Sequence, residues 1–298
     1  MAEDAFTEHR PLLFTIAYEM LGSSTDAEDV LQESYLRWSA VDPAVVEHPH
    51  AYLVRIVTRQ ALNHLRAVRA RREEYVGAWL PEPIRTAPEV SDDVILAESV
   101  SMAMMLVLEK LSATERAVFV LHDVFGYTHG EIAASVGKAE STVRQIAHRA
   151  RRHVHARRRR FEPRSDATRE IVERFLHAAA TGEVQALMDL LAPDVVQISD
   201  GGGKAVAARR PITGRCDVAR FVLRVIRNSG AATQVEHATY NGMPAARFLT
   251  AGELDWLVAF EIHDGRITGL YGIRNPDKLH RADVVRPLDR GGHQPWKP

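Results

Sequence analysis

The chain has 298 residues, 46% of them hydrophobic and 26% charged, with a formal net charge of -1. That length exceeds one ordinary domain and suits two or three with packed cores. The single cysteine, Cys216, excludes an intrachain disulfide and suits a reducing cytoplasm. With no signal peptide and no run near the roughly 20 apolar residues of a membrane helix, a soluble cytoplasmic protein without membrane contact is expected.

In chain order, apolar residues recur at helical spacing from Pro11 to Met20 and from Asp26 to Trp38. Gly22 to Thr25 separates the two helices, with Ser24 or Thr25 expected to cap the second. Asp26, Glu28 and Asp29 fall in its first turn, where the helix dipole favours negative charge. Pro43 and Pro49 bracket a loop before a third helix, His50 to Arg72. Its stripe is Leu53, Ile56, Val57, Leu62 and Leu65, and its far end is basic at Arg66, Arg69, Arg71 and Arg72.

The periodicity stops at Glu73. From there to Glu98 stand seven acidic residues against Arg85 alone, and Pro81, Pro83 and Pro88 mark a linker to about Asp93. Helices resume near Val94 and run to about Arg160. From Lys138 to Arg164 stand ten Lys/Arg against two Asp/Glu, so the neutral total conceals a local basic stripe suited to nucleic acid. Pro163 to Asp166 reads as a second boundary. Beyond it come helices (Ala167 to Ala180, Val184 to Leu191), a strand (Asp194 to Ser199) and a helix (Cys216 to Asn228). Alternating strands follow, with hairpin signals at Asn241-Gly242 and Asp264-Gly265. This order is an α+β module.

Between His129 and His153 the spacing is that of a helix-turn-helix. Ala133 permits close helix approach, and Gly137 supplies a left-handed turn. Val143 and Ile146 pack the second helix back, and Ser141 is its expected N-cap. The exposed face would carry Arg144, Gln145, His148, Arg149 and Arg152. Arg144 and Gln145 have the chemistry to read guanine and adenine edges, and further arginines would neutralise phosphates. Arg157 to Arg160 alone would be a weak signal, since such a run is usually a solvated face.

Leu111 to Arg116, Gly126 to Ala133 and the ending Arg149-Ala150-Arg151 resemble the fourth region of extracytoplasmic-function sigma factors of the sigma-70 family. The resemblance implies that this helix-turn-helix reads the upstream promoter element. Asp26-Ala27-Glu28-Asp29-Val30-Leu31-Gln32-Glu33 is similar to the family's second region. There the resemblance assigns Asp26, Asp29, Gln32 and Glu33 to a coiled coil of the polymerase beta-prime subunit, and an acidic helix suits a basic partner. It likewise makes the third helix the melter and reader of the downstream element. Candidates are Tyr52, Arg55, Arg59, Asn63 and Arg66, since unstacked bases need aromatic surfaces and cations. Relatives often carry Asp where this chain has Asn63. The implied partners are promoter DNA and core RNA polymerase, through its beta-prime and beta subunits.

Three further stretches resemble signatures of one subgroup, whose members carry a SnoaL-like, NTF2-like C-terminal extension as a built-in regulator. They are Trp79-Leu80-Pro81-Glu82-Pro83, Asp200-Gly201-Gly202-Gly203-Lys204 and Asn275-Pro276-Asp277-Lys278-Leu279. The expected layout is region 2 (1–72), acidic linker (73–93), region 4 (94–162), cone (167–280) and tail (281–298). The extension is expected to dock on the linker and on region 2, with Trp79 as a buried anchor. The acidic linker resembles the segment that relatives thread through the polymerase interior.

Some cone proteins are enzymes, and Asp200, Asp255, His263 and Asp264 are the available acid–base groups. No second group is spaced to pair with Asp200, and His263 to Gly265 reads better as a turn. Without a zinc pattern, Walker loop or dinucleotide fingerprint, no metal or cofactor is expected. The cone leaves room for an unidentified small molecule. Two rivals to the sigma reading are a conventional dimeric regulator and an enzyme fused to a DNA-binding module.

Overall fold

The computed structural model describes residues 2–42, 45–73, 75–87, 93–156, 166–228 and 233–291. The chain divides into two compact units, one of residues 1–73, 104–158 and 286–298, the other of 74–103 and 159–285.

The first unit is all helical. α1 (Ala2–Leu21), α2 (Ser24–Ser39) and α3 (Pro49–Glu73) form a bundle around Leu13, Ile16, Trp38, Leu53 and Val57. α2 begins two residues before the Asp26 at which its helical spacing starts. Ser23, not Ser24 or Thr25, is the cap, its hydroxyl accepting from the Asp26 N–H at 3.0 Å. Pro49 opens α3, where a missing N–H costs nothing.

α4 (Val94–Val100) and α5 (Met102–Leu108) lead to α6 (Ala113–Phe119). A π-helical turn, Val120–Val124, then precedes the two helices of the helix-turn-helix, α7 (His129–Val136) and α8 (Glu140–His155). Capping boxes start α6 (Ser112 with Glu115) and α7 (Thr128 with Glu131). Gly137 ends α7 at φ 68°, the left-handed conformation expected of it. α8 does not use Ser141 as its cap. The turn closes sooner, the cap position falls on Ala139 without a side-chain bond, and Ser141 lies exposed in the first helical turn. Residues 286–291 also belong to this unit: Arg286 reaches Glu28 at 2.6 Å, and the Asp289 N–H donates to Thr15 Oγ1 at 3.1 Å.

The second unit is α+β. α9 (Asp166–Thr181) and α10 (Val184–Leu190) precede β2 (Leu191–Asp200) and β3 (Ile212–Thr213), and α11 (Arg215–Asn228) follows. β4 (Thr233–Tyr240), β5 (Met243–Thr250), β6 (Glu253–His263) and β7 (Arg266–Ile273) form an antiparallel meander. β2 returns parallel to β7. A two-residue strand within the expected linker, β1 (Arg85–Thr86), pairs with β4, so neighbours run β3-β2-β7-β6-β5-β4-β1. The three helices cover one sheet face over a core including Phe175, Leu187, Val195, Phe248 and Phe260. The fold class is the expected one: all-α parts with a helix-turn-helix, followed by an α+β module.

Both expected hairpin turns form, with positive φ at Asn241, Gly242, Asp264 and Gly265. A third, Ala251-Gly252, joins β5 to β6 without the Asn or Asp that would have announced it. The side chains of Arg69, Arg71 and Arg72, the run Arg157 to Arg160, and the linker residues Glu89 and Asp92 lie outside the described residues.

Candidate functional site

In the first unit, α8 buries Val143, Ile146, Ala147, Ala150 and Val154. That leaves Arg144, Gln145, His148, Arg149 and Arg152 exposed, all five on the face expected to meet DNA. Arg144 is held by Glu140 at 2.5 Å, one helical turn earlier. Arg149 lies 3.4 Å from Glu115. Burial raises the Glu115 carboxyl, but the Ser112 hydroxyl and N–H together with Arg149 outweigh it and hold the group below its ordinary value. Arg151 points the other way and binds Asp123 at 2.6 Å, so it braces the domain. Burial is the main reason the Asp123 carboxyl is nevertheless raised.

Asp29, Gln32 and Glu33 are exposed along one face of α2. Asp26 is half-buried and 3.1 Å from His64, and Glu33 accepts from Gln60 at 2.8 Å. Leu36, 63% exposed, continues the same stripe. It was not singled out from the sequence, although its i+3 and i+4 spacing from Glu33 and Gln32 was the available signal.

The candidate base-melting residues divide into two groups. Asn63 and Arg66 are exposed. Tyr52 is half-buried against Trp38 (centroids 5.7 Å apart), with the Arg55 guanidinium 5.1 Å above its ring. Arg59 donates to the main-chain carbonyls of Ala134 (3.2 Å) and Ser135 (3.3 Å) at the end of α7. Tyr52 and Arg55 also line a cleft of about 590 Å³ shared with Ala134 and Ser135. The face of α3 expected to read the downstream element thus packs on the first helix of the helix-turn-helix.

In the second unit the three signature stretches meet. The Asp200 carboxylate, fully buried at the end of β2, has four partners. Oδ1 accepts from the Tyr75 hydroxyl (2.5 Å) and the Gly202 N–H (3.0 Å). Oδ2 accepts from the Leu80 N–H (2.8 Å) and the Lys278 ammonium (2.7 Å). Lys278 lies in α12 (Pro276–Leu279), also donates to the Leu80 carbonyl, and has the Trp79 ring 4.5 Å away. Burial, then the bond to Asp200, pushes the Tyr75 hydroxyl well above its ordinary pKa. Asn275 caps α12 through the Asp277 N–H and donates to Tyr75 at 2.8 Å. Lys204 binds Asp277 at 2.5 Å.

Gly202 has φ 59°, and a Cβ there would stand 2.3 Å from the Asn275 side chain. Only glycine serves at that point. Trp79 is not the buried anchor expected of it. Leu80 is fully buried, with Pro81 beside it, while Trp79 is half-buried because its ring roofs the Lys278 cation.

A second grip lies at the β4–β5 turn. Asn241, fully buried, accepts from the Ile84 N–H (3.1 Å) and donates to the Val100 carbonyl (2.8 Å). The Gly242 N–H donates to Thr86 Oγ1 at 3.2 Å. Tyr75 and Asn241 were not singled out as functional, because the Asn-Gly pair announces a hairpin and nothing in it announces what the turn holds. Residues 75–87, expected as linker, and 93–103, of which 94–103 were expected to open region 4, are therefore built into the second unit.

The four candidate acid–base groups do not assemble. Asp200 is neutralised by Lys278, Asp255 pairs with Arg274 at 3.1 Å, and His263 with Asp264 forms the β6–β7 turn. Among the described residues no three metal-ligating side chains cluster, and no helix is long and apolar enough to cross a membrane.

Family comparisons agree with this layout. The family model for sigma-70 region 2 matches residues 5–72, and that for sigma-70 region 4 matches residues 101–154. The chain is 36% identical to the ECF RNA polymerase sigma factor SigJ of Mycobacterium tuberculosis, over 98% of this chain and 99% of that protein. It is 29% identical to the probable ECF sigma factor SigI of the same species, over 97% of each. The crystal structure of M. tuberculosis SigJ superposes with a TM-score of 0.75 at 34% identity, covering 94% of this chain and 98% of that one. The chain belongs to the extracytoplasmic-function sigma factors of RNA polymerase.

Proposed function

We propose that this chain is an alternative sigma factor that brings core RNA polymerase to particular promoters and is restrained by its own C-terminal module. In this reading α8 reads the upstream element, α3 melts and reads the downstream one, and the acidic face of α2 with Leu36 meets the polymerase beta-prime subunit. The protein acts in the cytoplasm and turns over no substrate.

The observation that carries the restraint is the capture of the connecting segment by Asp200 and Lys278. A free connector of 29 residues, 75–103, would span up to about 100 Å. Folded into the C-terminal module it cannot separate region 2 from region 4 to that extent. The Arg59 contact with α7 supports the same reading, since a face occupied by Ala134 and Ser135 is not offered to unstacked bases. Polymerase and promoter would shift the chain to an open form only by binding it better than the closed one.

The test is transcription in vitro from the protein's own upstream region with purified core polymerase. Initiation should depend on the added chain. Arg144→Ala should weaken discrimination at one upstream base pair by about 1–3 kcal/mol. Tight duplex binding by the free chain without initiation would instead favour a conventional regulator.

A further inference from the structure

The second unit encloses a cavity of about 870 Å³ between α9, α11 and the covered sheet face. Its walls are mainly apolar, with Phe175, Phe221, Val222, Phe248, Trp256 and Leu270 among them. Phe248 and Trp256 stack at 3.5 Å, 5° from parallel, and so make a flat aromatic surface. The size and lining are those of small-molecule sites.

One polar group in the wall is incompletely used. Gln197, on β2, is 4% exposed, and its amide Nε2 donates to Ser199 Oγ. Its Oε1 has no hydrogen-bond partner among the described residues. An unmatched buried acceptor is destabilising, so this atom favours a ligand that can donate to it. Of the charged groups of the lining, Arg224 is exposed and the Asp255–Arg274 pair half-exposed, whereas Gln197 is 4% exposed, and burying a charge beside it is disfavoured. Gly272 lies across from Ser199 on β7, and the atoms nearest a Cβ built there would be Ser199 Oγ, Gln197 Nε2 and the Ile198 carbonyl oxygen, at 3.6–3.8 Å. The lack of a side chain at Gly272 keeps the approach to the amide open.

We propose that this cavity binds a neutral, flat, hydrophobic molecule carrying a hydroxyl group, which stacks along Phe248 and Trp256 and donates to Gln197. The site goes beyond the sigma reading and is testable without transcription, so either can fail alone.

The experiment is a titration of the full-length chain, refolded from urea to strip co-purifying molecules, with 2-naphthol, naphthalene and 2-naphthoate. Trp fluorescence and calorimetry would follow the binding. 2-Naphthol should bind saturably at one site, at least tenfold more tightly than naphthalene or the charged 2-naphthoate. Gln197→Leu, which removes the unmatched amide, should weaken 2-naphthol at least tenfold and leave naphthalene within about twofold. Ala179→Phe should fill the cavity and abolish both. Its fold would be checked by melting, and Gln197→Leu provides the decision if it does not fold. Three results would overturn the proposal: no saturable 2-naphthol binding, equal 2-naphthol affinity in Gln197→Leu, or tighter binding of 2-naphthoate.

Discussion

The contact of Arg59 with α7 and the contact of Asp200 with the connecting segment both hold distant parts of the chain together, but by unlike means. Arg59 is an exposed, flexible cation on two carbonyls, at distances of 3.2 and 3.3 Å. Water can replace those bonds at little cost. Asp200 is fully buried, its four partners are fixed by three separate stretches, and no water competes for them. A charge pair of that kind is hard to take apart, because either partner alone would be a buried charge. The comparison separates the two contacts: water can take over the Arg59 bonds, whereas the Asp200 set cannot be opened without leaving a charge buried.

The largest effect that would break this contrast comes from Lys278→Met. Leaving Asp200 buried without its cation should destabilise the second unit by about 3–5 kcal/mol, read as a fall in its urea midpoint. A loss under about 1 kcal/mol would mean the pair is no stronger than a surface contact. Gly202→Ala should follow at about 1–3 kcal/mol, since it combines a positive φ with a clash against Asn275. Calorimetric melting would measure it, and a neutral result would show that the loop yields.

A smaller effect sharpens the picture of the first unit. The folded Glu115 carboxyl lies below its ordinary value, so its stabilisation is present above the unfolded pKa and is lost as pH falls through the folded one. Glu115→Gln should cost about 1 kcal/mol at neutral pH, and the difference from the parent should shrink in acid, below the ordinary glutamate range. Urea midpoints at neutral and acid pH decide it, and a gap that persists in acid would assign the cost to packing. The smallest stability effect should be that of Arg59→Ala, below about 1 kcal/mol. If the α3–α7 contact restrains the free chain, that variant should nevertheless have altered promoter opening in a permanganate footprint.

Much of this was legible beforehand for identifiable reasons. Gly137 and the exposed arginines of α8 follow from helix period and turn chemistry, which act over a few residues. The same local rules misjudged Ser24 by one position and Ser141 by two, because closure of the preceding turn decides which residue becomes the cap. Trp79 looked like a core anchor by residue type, yet its neighbour Leu80 took the interior. Gln197 gave no signal at all, since an amide on an alternating strand has meaning only once the opposite wall is known.

The sequence by itself determined the helices, the helix-turn-helix, the hairpins and the three stretches that converge on Asp200, because each rests on local periodicity, backbone preference or a recognisable motif. Only the tertiary structure decided that residues 75–103 belong with the cone, that Arg59 spends its donors on α7, and that Gln197 faces a cavity. Those outcomes depend on which surfaces meet across many tens of residues, and burial and hydrogen-bond matching between distant segments are set by the fold as a whole.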